Sequence, residues 1–271
     1  MTKRGFTLIE LLIAALVAGI LVTVLTRILL SDSRFVSRQD AMMSARQTAR
    51  AALNVTAVEL RMVSSGGLIA AAPDSILVRV PYAFGMSCGT SAGLTVGSMM
   101  PTDSMMYANA TPAGMARLQP DNTYSFLPAI TAASSTDVAA CTAQNVNIIP
   151  SGFLVGITPP NAATAGTIFY LYDNVAYRFM PSADLPGRIG LWRRSGTASY
   201  SELVAPFDST ARFRFLVGPS LQVNDNPPAD LTTVNGLELK FVSASSSPPQ
   251  GESAYQNFDL PVQVVFFNKS N

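Results

Sequence analysis

The chain has 271 residues, 48% of them hydrophobic and only 13% charged, with 18 basic against 17 acidic side chains and no histidine. A balance so near neutral gives no overall electrostatic case for nucleic-acid binding. The missing histidine excludes Ser-His-Asp and Cys-His catalytic sets and argues against a zinc site. No glycine loop of the phosphate-cradling kind precedes a helix, and a carboxylate pair such as Asp184 and Asp208 has nothing to single it out. Neither an enzyme nor a bound cofactor is expected.

Chemistry concentrates at the start. Lys3, Arg4 and Gly5 precede an apolar run in which Glu10 is the sole ionisable side chain between Phe6 and Thr26, and which continues to Leu30. About 20 apolar residues in a helix cross a bilayer core, and Lys3 and Arg4 hold the N-terminal end on the cytoplasmic side. A charge at the middle of such a helix costs roughly 2.5–3.5 kcal/mol. Glu10 lies one turn inside, so its cost is smaller but still asks for a partner. A cleaved secretory signal has a shorter core and a small-residue cleavage site, which Ile28-Leu-Leu-Ser-Asp-Ser33 does not offer. A plain anchor fits the length and leaves the acid unexplained.

Lys3-Arg4-Gly5 followed by Phe6-Thr7-Leu8-Ile9-Glu10 resembles the class III signal of type IV pilins and type II secretion pseudopilins. That resemblance implies cleavage after Gly5 by a membrane prepilin peptidase and N-methylation of the new first residue, Phe6. It implies that the helix is retained and packs in a filament core. Glu10 would pair with the amine of Phe6, its own or a neighbouring subunit's. The physics agrees, because two opposite charges away from water attract strongly and removing one strands the other.

Beyond the membrane the helix is expected to continue, since mixed charge follows without proline or glycine. Met42, Ala45, Ala49, Leu53, Ala57, Leu60 and Val63 recur at helical spacing as an amphipathic stripe. Arg34, Arg38, Arg46, Arg50 and Arg61 fall mostly off it and read as a solvated face. Ser64-Ser-Gly-Gly67 ends the helix, which from Phe6 to Ser64 would be about 90 Å long. Arg46 to Leu53 and Glu59-Leu-Arg61-Met62 are similar to the post-membrane helix of PilW-type minor pilins, with GspJ-type pseudopilins next.

From Leu68 the period becomes two. Ser75–Val80 reads as a strand ending at Pro81. A stretch from about 84 to 167, rich in small residues, shows strand signals only at Tyr124–Leu127 and Gly152–Ile157 and reads as surface elaboration. Its Met99-Met100 and Met105-Met106 pairs look like adaptable packing. It also holds both cysteines, Cys88 and Cys141, most simply one disulfide in an oxidising compartment, with two buried thiols as the alternative. Thr167–Tyr172 and Val175–Met180 flank Asp173-Asn174 as a hairpin with a two-residue turn. Strands follow at Gly190–Ser195, Ser201–Asp208 and Ala211–Val217, then around Leu237, Leu239 and Phe241, and finally at Phe258–Phe267. Asn224-Asp225-Asn226 with Asp230 offers oxygen ligands of the calcium kind, although such clusters are commonly turn formers.

The expected fold is α+β, one long helix on an antiparallel sheet. Its organisation is a leader at 1–5, a transmembrane helix at 6–30, an amphipathic extension at 31–66 and a periplasmic β-rich head at 67–271. The resemblance makes the chain a minor type IV pilin in the inner membrane, with prepilin peptidase, other pilins and the assembly platform as partners. A minor pseudopilin of type II secretion, or an anchored binding head outside any filament, remain the alternatives.

Overall fold

A computed structural model of the protein describes residues 8–108, 111–148 and 152–266. It opens with α1 (Leu8–Met62), a 55-residue helix about 80 Å long. Strands β1 (Leu68–Ala72), β2 (Ser75–Ser91) and β3 (Leu94–Met99) follow, then α2 (Pro101–Ala108), β4 (Gly114–Leu118), β5 (Tyr124–Pro128), β6 (Thr131–Ser134), α3 (Val138–Ala143) and β7 (Phe153–Thr158). The last part holds β8 (Ile168–Pro181), β9 (Ile189–Ser195), β10 (Ser201–Phe207), β11 (Arg212–Val217), β12 (Gln222–Asn224), a 3-10 turn at Leu231–Thr233, β13 (Val234–Ala244) and β14 (Asn257–Val265). Every pairing among the described strands is antiparallel, in one sheet whose main path runs β12-β11-β13-β10-β9-β8-β2-β3-β7-β6. The fold is pilin-like α+β.

Helix α1 packs on β13 and β14, and near its end on β10 and β2. Beneath that end lies the larger core, in which Phe179 meets the rings of Phe207, Phe213 and Phe241 at centroid distances of 5.3–6.2 Å. A second core, around Phe169, Leu171, Met99, Met115 and Ile157, fills the other end. Gly85 and Gly97 are required there, because a Cβ at either would fall within 2.7 Å of the Phe169 ring.

Three expectations change. The predicted hairpin at Asp173-Asn174 does not form, and β8 runs straight through, with Asp173 opposite Val80 and Asn174 opposite Arg79 of β2. Its other edge pairs with β4 up to Tyr172 and with β9 from Val175. The polar pair marks that change of neighbour: the Asn174 carbonyl accepts from the Gly196 N–H at 2.8 Å, and the Ser195 hydroxyl donates to Asp173. Neither residue has the positive φ that the hairpin turn needs.

Secondly, β2 does not stop at Pro81. The proline lies opposite Tyr172, and the register shifts between Pro81 and Ala83, a bulge that absorbs its missing N–H. Thirdly, the stretch from 84 to 167 is built rather than looped. It contributes β3 to β7, two short helices and most of the second core. Small residues in the strands, such as Gly97 and Gly156, hid it from a reading that looks for bulky alternation.

Candidate functional site

The feature that sets this molecule apart is how α1 is used. Every residue from Leu8 to Val36 is exposed, and its large apolar side chains show between 48% and 82% of their surface. The most apolar 18-residue window has a mean hydropathy of 2.8, and none of it is buried. A leucine-rich helix with no protein against it is long and apolar enough to span a bilayer. Glu10 sits in its first turn. Gly5 and Phe6, the expected cleavage and methylation positions, lie outside the described residues, as does any Glu10–Phe6 contact.

The head meets the helix first through the segment around Gln250. Ser33 Oγ donates to Gln250 Oε1 at 2.6 Å, the Gln250 N–H donates to Ser37 Oγ at 2.8 Å, and Arg38 pairs with Glu252. Arg46 lies over the Phe258 ring at 5.4 Å. Two of the five arginines read as solvated therefore hold the head. From there the helix buries Ala41, Ala45, Ala49, Ala52, Thr56, Ala57 and Leu60, a stripe of smaller residues than the sequence pattern selects. Met42 and Leu53 flank it half-buried, while Ala41, Ala52 and Thr56 form its floor. Small side chains let the backbone approach closely, and Ser243 Oγ of β13 donates to the Ala45 carbonyl at 2.6 Å.

At its far end α1 is pinned by charge. The Glu59 carboxylate takes two hydrogen bonds from Arg193 of β9, at 2.9 and 3.2 Å, and a third from the Tyr177 hydroxyl of β8. The ion-paired side chains are 22% and 27% exposed. Burial, reinforced by the neighbouring Glu59 charge, pushes the Tyr177 hydroxyl well above its ordinary range, so it stays a donor. Burial opposes the Arg193 charge, but the Glu59 hydrogen bond and charge outweigh it and raise its pKa. Beyond the helix end, Ser64 Oγ and the Tyr170 hydroxyl share a buried hydrogen bond.

Sequence reasoning did not find this lock. Glu59 reads in the sequence as one acid on a helix and Arg193 as one arginine in a strand, and nothing in either names a partner 134 residues away.

Other sequence candidates resolve individually. Cys88 and Cys141 are joined in a disulfide that ties α3 to β2. Asp225 is paired with Arg214 at 2.7 Å, in a row that continues through Glu238 to Gln263 across β11, β13 and β14. Asp230 caps the 3-10 turn, and the hydroxyl and N–H of Thr232 hold its pKa below the ordinary carboxylate value. Among the described residues no group of three His, Cys, Asp or Glu side chains is placed to hold a metal ion.

Asp208 accepts from Thr210 and Asn257, in a turn between β10 and β11. Met99 is fully buried, whereas Met100, Met105 and Met106 are exposed. Gly85-Met-Ser-Cys-Gly89 and Gly89-Thr-Ser-Ala-Gly93 spell G-x-S-x-G, but they lie along β2 and its turn into β3, where a nucleophile elbow would need a strand-to-helix turn. Ser87 Oγ is spent on the Ala163 carbonyl.

Residues 1–26 match the family model of the prokaryotic N-terminal methylation motif. Searches of curated proteins and of solved structures return no match. Joined to an exposed apolar helix and an antiparallel head, the motif indicates a type IV pilin-like or pseudopilin-like protein anchored through its N-terminus.

Proposed function

We propose that the chain is a minor type IV pilin of the PilW kind. It inserts in the inner membrane with its N-terminus cytoplasmic and its head periplasmic, is cut after Gly5 by the prepilin peptidase, and is methylated on Phe6. The mature helix spans the membrane from 6 to 30, extends as the head's footing from 31 to 66, and leaves for a priming or tip complex with other pilins and the assembly platform. One observation carries this reading: the methylation motif runs directly into a helix whose whole apolar half has no protein against it.

Within a bundle of like helices that surface is covered, and Glu10 finds an amine where water is absent. The large head and the absence of proline before Pro73 fit a minor subunit better than the bulk filament protein. A minor pseudopilin of type II secretion shares every one of these mechanics and is the second reading. Co-expression with the filament components, followed by recovery of sheared filaments, tests assembly. Glu10→Ala is expected to reach the membrane at normal levels and to drop out of the filament fraction at least tenfold. Undiminished incorporation contradicts the assembly role and leaves a simple anchor.

A further inference from the structure

Arginines stand where α1 leaves its apolar stretch. Residues 6–26 make about 31 Å of helix, close to the thickness of a bilayer's hydrocarbon core. On the membrane reading above, which this inference rests on, Phe6 starts at the cytoplasmic boundary. Arg27 then stands at the periplasmic boundary and Arg34 about 10 Å farther out, so the space between them is the headgroup layer. Once the leader is cut, Lys3 and Arg4 are gone. The side-chain cations nearest the bilayer are then all periplasmic, the reverse of the usual bias of membrane helices. Cations held on that side ask for a local counter-charge.

The chain itself does not supply one. Arg27, Ser31, Arg34 and Arg38 fall within about 60° of arc around α1 and, with Leu30 and Phe35, line an open cleft of about 400 Å³. The nearest acids of the helix, Asp32 and Asp40, lie about 100° or more outside that arc. The head reaches the cleft through the turn in which the Glu252 N–H donates to the Pro249 carbonyl. Gly251 of that turn lies against Arg34, so that a Cβ there would come within 3.2 Å of Nε. The carboxylate of the turn, Glu252, is spent on Arg38. Arg27 and Arg34 are exposed, and no ion pair among the described residues involves either. Two guanidinium forks with a hydroxyl between them match the oxygens of a phosphate.

We propose that this cleft binds the phosphate of an anionic phospholipid in the periplasmic leaflet. Arg27 and Arg34 grip the phosphate from below and above, Ser31 donates between them, and Leu30 and Phe35 flank the glycerol and upper acyl chain. A zwitterionic lipid fits less well, because its ammonium would enter a face of arginines that offers no free acid. Phosphatidylglycerol carries the same phosphate with an uncharged head. The bound lipid holds the helix at a fixed depth, with the 249–252 turn resting just above the headgroups.

The test uses the full mature chain in dodecyl maltoside, offered dioctanoyl-phosphatidylglycerol and dioctanoyl-phosphatidylcholine at equal concentration, with retained lipid counted by native mass spectrometry. Phosphatidylglycerol is expected to be retained about tenfold over phosphatidylcholine. Arg27→Gln with Arg34→Gln should bring the two lipids level without changing the head's unfolding temperature. Arg50→Gln, an exposed arginine farther along α1, should keep the preference. Inorganic phosphate at on the order of 10 mM should not displace the lipid. Equal retention of the two lipids overturns the proposal, as does a preference that survives the double variant or is lost equally in Arg50→Gln. Displacement by free phosphate also overturns it, in favour of a soluble anion. If the double variant drops out of filaments while the parent chain shows no lipid preference, the face belongs to an acidic neighbouring subunit instead. Alkaline carbonate extraction separates the two levels of failure. A chain stripped from membranes by carbonate refutes the membrane reading together with this one, whereas a chain that stays and shows no preference refutes this one alone.

Discussion

From Leu8 to Val36 helix α1 displays its leucines, isoleucines and valines; from Ala41 to Leu60 it hides alanines. In water the bulkier set would be the buried one. The two halves are therefore written for different surroundings. The first half gains nothing from its own head and is stable only in lipid or among other apolar helices. The second half trades side-chain volume for proximity, so that β13 can reach its backbone through Ser243 and a single ionic lock can fix its end.

That contrast can be broken deliberately. The largest effect on head stability should come from Ala45→Leu, which forces a bulky side chain into the fully buried point where Ser243 of β13 reaches the helix backbone. About 3 kcal/mol should be lost, read as a lower denaturant midpoint at unchanged slope. Leu21→Ala, in the exposed half, should change the head's stability by less than about 0.5 kcal/mol. Equal losses from the two substitutions would erase the distinction between the halves.

Next in size is the lock. Arg193→Ala leaves Glu59 and Tyr177 in a half-buried setting without their cation and should cost about 2 kcal/mol. Protection of amides in the last turns of α1 should fall before that of β13, as hydrogen exchange would show. Uniform loss of protection would mean that the lock serves the whole head instead of the helix end.

The smallest effect concerns α3, which the disulfide and an Asp137 cap hold over the sheet. The Ser91 hydroxyl and the Ala140 N–H hold the Asp137 carboxyl below its ordinary value of 3.8. A carboxyl whose folded pKa is depressed contributes fully above that ordinary value and fades as pH falls through the lower, folded one. Protection factors of the α3 amides, which remove the intrinsic pH dependence of exchange, should therefore fall below about pH 3.8, with those of α1 unaffected in the same interval. A fall already at pH 5 would point to another group.

How much of this was legible in the sequence follows the same division. Residues 8–62 announce themselves, because helix period, length and the absence of proline, with no glycine after Gly19, all act locally. The strands after Ile189 are also legible, since Arg212–Val217 and Leu237–Phe241 alternate cleanly against one core. The middle of the head was not. Asp173-Asn174 carries a turn's composition but is held straight by β2, a partner more than 90 residues earlier. Gly85 and Gly97 look like breaks because the bulk they accommodate, Phe169, sits on another strand. The stripe on α1 was found with its phase slightly turned, as alanine is weakly apolar and only the sheet decides which alanines face it. Glu59 and Arg193 acquire meaning only once distant strands meet.

The most direct test of the whole account is the chemical identity of the mature N-terminus. Protein recovered from membranes of cells that carry the prepilin peptidase should give, by intact mass and terminal peptide analysis, a chain beginning at Phe6 with one methyl group on its amine and the apolar helix still attached. A chain that retains Met1 to Gly5, or one cut beyond Leu30, would contradict it.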